Sequence, residues 1–253
     1  MNIAEKIAII AENEPKVYEA GKIDGKQAAY DEFSDAFQNF GQRTDYSKAF
    51  NGTVAFTEEH IRNLKYKVVP TGNTGHESLF NKNNAITKVE AINIDLSKVT
   101  PSQTSQANGN RYVFYICPKL EQIEDVGLPA GYYYYTFGMN YKLHTIELIR
   151  SKEDTIFSSA FINDIALKNV RFEGVIGQSI SFGHSPLSVD SLKDVILHLK
   201  DYTGTDNEHT KTVSFKSSAF SVLEAEGTTA EYNGTPCTWA ELIDNKKWNL
   251  TLA

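Results

Sequence analysis

FYICPKLEQI (114–123), FGMNYKLHTI (137–146) and FINDIALKNV (161–170) decide how this chain folds. In each, an aromatic is followed six residues later by an aliphatic and nine residues later by a second: Phe114, Leu120, Ile123; Phe137, Leu143, Ile146; Phe161, Leu167, Val170. Upstream, Phe80, Ile86 and Val89 keep the same offsets. Downstream, Phe182 stands where another unit opens, so the opening aromatics are 34, 23, 24 and 21 residues apart. Self-similarity at such a period marks a repeat architecture. Each unit is too small to bury its own apolar side, so neighbours must stack. A generic β-rich chain also scatters aromatics and aliphatics, but it has no reason to keep two offsets through four copies.

After the second aliphatic come Ile92 and Ile94, Val126 and Leu128, Leu148, then Phe172, nearly alternating with polar residues. This predicts one short strand per repeat, with Ile92, Val126, Leu148 and Phe172 in common phase on adjacent parallel strands of one sheet. The opening aromatic, seated among small or polar residues such as Ser158, Ser159 and Ala160, is expected to fill the opposite wall.

These stretches resemble the BspA-like leucine-rich repeat, in which Phe, a small residue or Cys, Leu and Ile recur in that order. Of the repeats, only the one opening at Phe114 carries the motif's Cys, Cys117. Beyond the repeats, IAENEPKVYEAGK (10–22), DEFSDAFQNFGQRTDYSKAFNG (31–52), FEGVIGQSISFGHSPLSVDSLKDVILHLKDYTG (172–204) and KKWNLTLA (246–253) resemble proteins encoded in tail and structural gene regions of phages and prophages of gut Firmicutes. The resemblance implies an α/β leucine-rich-repeat solenoid with a short parallel β-sheet and an irregular outer wall. Its parts are a helical leader and cap (1–41), the solenoid (42–183) and a helix-strand cap (184–253). It also implies a non-enzymatic, tail-associated virion protein made in the bacterial cytoplasm, whose solenoid binds a bacterial surface glycan or protein while the leader joins other virion proteins. The alternatives are a purely structural baseplate or capsid decoration and a glycan-active enzyme's accessory module.

Composition agrees with a folded domain: 253 residues, 41% apolar and 11% aromatic. A net charge of −7 and a pI near 5.4 argue against a nucleic-acid partner, which needs a clustered basic face. Lys246 and Lys247 are too short a run to make one. The opening MNIAEKIAII is broken by Glu5 and Lys6, so neither a signal peptide nor membrane insertion is expected. Cys117 reads as a buried thiol, and a disulfide to Cys237 stays open at this level.

The ends have their own patterns. Ile3, Ile7, Ile10 and Val17 share one helical face, a candidate assembly stripe for a homo-trimer, although Pro15 interrupts it and the stripe has the alternative of folding back on the first repeat. Tyr30, Phe33, Phe37 and Phe40 before Gly41 predict an amphipathic helix over 27–40 that caps the first repeat. At the other end, Ser188 or Asp190 caps a helix bearing Leu192, Val195, Ile196 and Leu199. Thr212, Val213 and Phe215 form a strand, Thr238 and Glu241 are spaced for a capping box, and Trp248, Leu250 and Leu252 alternate as a last strand.

Motifs for chemistry are thin. The six histidines show no paired spacing for zinc, Gly177-Gln-Ser-Ile-Ser181 lacks the second glycine of a nucleophile elbow, and Pro70 to Gly75 lacks a phosphate loop's Lys. No metal, cofactor or catalytic residue is expected. The candidate binding residues are Tyr132, Tyr133, Tyr134 and Tyr141, with Tyr112 and Tyr115 in neighbouring repeat positions. Alternate residues of a strand face opposite ways, so about half of the run 132–135 is expected outside, as sugar- or protein-binding rings or as seals between turns.

Overall fold

A computed structural model of the protein describes residues 78–90, 111–128, 130–227 and 229–253. Ile3, Ile7, Ile10, Val17, the 27–40 helix, Ile92 and Ile94 lie outside the described residues. Within them the chain is mixed α/β, with short sheets and three helices.

Strands β1 (Lys88–Val89), β2 (Gln122–Leu128), β4 (Thr145–Ser151) and β6 (Asn169–Gly174) form one parallel sheet in that order. Val89 lies beside Ile123, Ile123 beside Ile146 and Ile146 beside Val170, so the ninth position of the repeat is a single row across the sheet. The row above is Val126, Ile149 and Phe172. The expected common phase therefore needs correction at Leu148, which pairs with Asp125 and stays partly exposed. Two residues separate Ile146 from Ile149 but one separates Val170 from Phe172, so β4 bulges against β6 and alternation fails there.

Opposite the sheet, Phe80, Phe114, Phe137 and Phe161 stack at centroid separations of 5.4, 5.8 and 5.1 Å, with ring planes within 14°. Phe182 follows Phe161 at 4.5 Å, and Phe215 follows Phe182 at 6.4 Å. Leu120, Leu143 and Leu167 fill the space between the walls, fully buried. The Phe wall has its own backbone ladder: Phe80, Phe114 and Phe137 each donate an amide to the next repeat, at Val113 O (2.7 Å), Thr136 O (2.8 Å) and Ala160 O (2.9 Å). Two residues either side of Phe80, Phe114, Phe137 and Phe161 the backbone is left-handed without glycine: Ser78 and Lys82, Tyr112 and Ile116, Tyr135 and Met139, Ser159 and Asn163, with φ between 52° and 61°.

Three residues after each opening Phe stands a buried side chain: Asn83, Cys117, Asn140, Asp164 and Ser185. Asn140 Oδ1 accepts from Cys117 N (2.7 Å) and Asp164 Oδ1 from Asn140 N (3.0 Å). Asn140 Nδ2 donates to Phe114 O (2.7 Å) and to Phe137 O. Burial pushes the Cys117 thiol up to about 12, opposed by the Asn83 amide, while its Sγ lies 2.9 Å from Phe80 O. Both cysteines are free, which closes the disulfide alternative.

Asp164 is the ladder's misfit. Its Oδ2 is buried without a hydrogen-bond partner, and burial holds its carboxyl well above the usual carboxylate range, opposed by the Asn140 amide. The folded chain therefore holds this proton more tightly than the unfolded chain, so its contribution to stability is largest below pH 4 or so and declines as pH rises from the unfolded toward the folded pKa. Asp164→Asn restores the amide that Asn140 uses one repeat earlier, and should raise stability by about 1–3 kcal/mol at neutral pH. Denaturant midpoints across pH 4–8 should show the variant's advantage growing with pH; a constant difference would assign the carboxyl no burial cost.

The remaining elements close the far end. The edge of β6 is covered by α1 (Val189–His198), where Ser191 Oγ accepts from Val170 N (2.9 Å) and Asp194 Oδ2 from Phe172 N (2.7 Å). Of the two cap candidates, Ser188 or Asp190, Ser188 caps the start of α1 and Asp190 lies in its first turn. At its other end Lys246 Nζ reaches Ile196 O (3.0 Å), Leu197 O (2.7 Å) and Leu199 O (2.9 Å), complementing the helix dipole. Burial pulls this ammonium down to about 8, opposed by Asp201. β7 (Ile180–Phe182), β8 (Thr212–Phe215) and β11 (Asn249–Leu252) make a second parallel sheet. Between them lie α2 (Ser217–Ala225), the hairpin of β9 (Ala230–Tyr232) and β10 (Thr235–Cys237), and α3 (Trp239–Asn245) with its Thr238–Glu241 capping box. β3 (Gly131–Tyr132) and β5 (Thr155–Ile156) pair in parallel as a further two-stranded sheet.

Candidate functional site

The tyrosines gather on the Phe wall because two adjacent repeats place them beside the same stacked rings. Tyr112 and Tyr115 bracket Phe114, and Tyr134 and Tyr135 precede Phe137. Their centroids lie 5.7 Å apart for Tyr112–Tyr135 (planes within 12°), 5.4 Å for Tyr115–Tyr135, 5.1 Å for Tyr112–Tyr115 and 4.0 Å for Tyr134–Tyr135. Arg111 lies 5.8 Å from the centre of the Tyr112 ring, and the Tyr115 hydroxyl meets Met139 Sδ at 3.0 Å. All four rings are half-buried, each held in place by the others.

The hydroxyls act on one another. A hydrogen bond with Tyr135, ahead of partial burial, pushes the Tyr134 phenol up to about 12. Burial, then Tyr135, Tyr112 and Tyr141, raises Tyr115. At neutral pH Tyr115 and Tyr134 therefore present uncharged ring faces and hydroxyls that both donate and accept, with the Arg111 cation beside Tyr112.

Of the four tyrosines expected at a surface, Tyr134 belongs to this cluster and Tyr141, 48% exposed, borders it. Tyr132 is half-buried on β3. Tyr133 is a correction: it is fully buried, its phenol pushed well up by burial. Half of the run was expected inside, yet one residue of the four is. Burial alternates through Tyr134, and left-handed backbone at Tyr135 (φ 53°) coincides with the break that leaves this ring partly exposed instead of inside. Tyr135 was missed as a candidate, although its place two residues before Phe137 matches that of Tyr112 before Phe114.

The sheet wall carries the charge. Arg150 on β4 takes both carboxylate oxygens of Asp125 on β2 and both of Glu173 on β6, at 2.7–3.0 Å. With Arg150 47% exposed, this triad aligns strands more than it stabilises them. A groove of about 670 Å³ beside it is lined by Glu124, Glu147, Arg171, Asp194 and His198 among others. His198 Nδ1 lies 2.7 Å from Asp194 O and 3.6 Å from its carboxylate, but that carboxylate is engaged by the Phe172 amide. Gly177, in the string that resembles a nucleophile elbow, is buried against Glu153 O with no room for a Cβ, a close backbone approach that glycine permits.

Among the described residues no group of three His, Cys, Asp or Glu side chains is placed to hold a metal ion, and no helix is long and apolar enough to cross a membrane. Compared with known proteins, the chain matches no family model, no curated protein and no solved structure.

Proposed function

We propose that the protein is a leucine-rich-repeat solenoid of the BspA-like kind, a non-enzymatic, tail-associated virion component whose Phe wall binds a receptor on the bacterial surface. The leader and its Ile3, Ile7, Ile10 and Val17 stripe serve in this reading as the attachment to other virion proteins, in a homo-trimer. The observation that carries it is the tyrosine cluster: four mutually packed rings, drawn from two repeats, at a surface where packing the core does not require them. Rigid aromatic side chains with a hydroxyl lose little entropy on binding and recur as binding hot spots. Support for the solenoid comes from the single rows of Val89, Ile123, Ile146 and Val170 on one wall and of stacked Phe on the other.

Antibody against the chain, gold-labelled and viewed on negatively stained particles of the producing phage, is expected at the tail tip. Label confined to the capsid, or none on intact particles, would overturn receptor binding and leave a decoration or an unpackaged protein.

A further inference from the structure

The repeats allow each tyrosine to be compared with what the same position holds elsewhere. Two residues before the opening Phe, all four repeats adopt left-handed backbone, and the occupants run Ser78, Tyr112, Tyr135, Ser159. One residue after the Phe they run Asn81, Tyr115, Gly138, Ile162, and four after it Asn84, Pro118, Tyr141, Ile165. The fold thus accepts serine where Tyr112 and Tyr135 stand, and a bulky side chain in left-handed backbone is the costlier choice. Tyrosine at these positions adds surface chemistry rather than architecture.

That chemistry selects among partners. The chain as a whole carries −7, and its clustered carboxylates, Glu124, Asp125, Glu147, Glu173 and Asp194, belong to the sheet wall and its helix. The groups acting on the Tyr115 and Tyr134 hydroxyls are other tyrosines, and the charge at the ring contacts is Arg111 at the rim. A cationic protein has better purchase on the sheet wall, and an anionic polymer is repelled by the net charge. A neutral, polyhydroxylated ligand matches what is left: flat C–H faces for the rings and diols for hydroxyls that donate and accept.

Resting on the receptor-binding reading, we infer that Tyr112, Tyr115, Tyr134, Tyr135 and Tyr141 form a site for an uncharged bacterial surface glycan, its sugar rings laid on the tyrosine faces. Because the rings already fix one another, the site is organised before the glycan arrives.

The test uses the full chain and cell envelopes prepared from gut Firmicutes, each batch left intact, digested with protease, or oxidised with periodate to open sugar diols. The variant is Tyr112→Ser/Tyr135→Ser, which installs the residue that Ser78 and Ser159 already provide in the same backbone conformation. Binding is expected to survive protease, to vanish after periodate, and to weaken roughly tenfold or more in the variant, with its denaturation midpoint retained as the control for folding. Loss to protease with survival of periodate would overturn the glycan while leaving receptor binding in place. Equal binding by the variant would overturn the tyrosine site, and no envelope binding by the wild type would overturn both.

Discussion

Phe137→Ala is expected to cost about 3–5 kcal/mol of folding stability, the range for truncating a fully buried aromatic. Phe137 has no exposed surface and stacks on Phe114 at 5.8 Å and on Phe161 at 5.1 Å, so its removal opens a cavity and breaks two ring contacts of about 0.5–1.5 kcal/mol each. Neighbouring repeats hold the flanking rings through their own amide ladders, which limits collapse into the gap. In urea the midpoint should fall sharply; a second transition would mean that repeats on the two sides of the cavity unfold separately. Tyr133→Ala, in the same core, is expected to fall in the same class, whereas Tyr134→Ala should cost little. A small loss at Tyr133 would contradict its burial.

Asn140→Leu is the second large effect, and it arises with shape nearly conserved. Leucine fills the volume but leaves the Cys117 amide and the Phe114 and Phe137 carbonyls, all currently paired with the Asn140 side chain, buried without partners. At about 1–3 kcal/mol for each such group, the loss should be 3 kcal/mol or more. Measured against Asp164→Asn one repeat along, the two substitutions should move the denaturant midpoint in opposite directions. If Asn140→Leu leaves the midpoint unchanged, the polar ladder contributes nothing that apolar packing cannot replace.

The apolar frame was legible because its periodicity is physical: Leu120, Leu143 and Leu167 occupy equivalent space, so equivalent residues recur. The rows of Ile123, Ile146 and Val170 follow from the same count. The caps at Ser188 and Thr238 were legible because each places a short oxygen-bearing side chain where a helix's first amides need one. Leu148 was misplaced because periodicity cannot reveal a bulge, which is set by how many residues each strand holds between aligned positions. The ladder at Asn83, Cys117, Asn140, Asp164 and Ser185 was hidden because four residue types share one structural slot; what unites them is a small polar or thiol group among buried backbone amides. The hairpin 230–237 and α2 left too few periodic residues to stand out. Lys246 looked like one of many scattered cations, since its three carbonyl partners lie some fifty residues earlier. For the tyrosines, the run itself was visible, but not the break in its alternation, which coincides with left-handed backbone at Tyr135.

The way α1 meets β6 also says where this protein is able to change its length. Val170 and Phe172 give their outward amides to Ser191 and Asp194 instead of to another strand, so the array ends there in side-chain chemistry. A unit gained by duplication after that point would find carboxylate and hydroxyl oxygens where it needs a backbone edge. A unit copied from 137–160 and inserted before Phe161 would meet matching amides, carbonyls and a Phe ring on both sides. Whole repeats added or removed upstream of that end would therefore lengthen or shorten both walls together, in steps of one 23- or 24-residue unit.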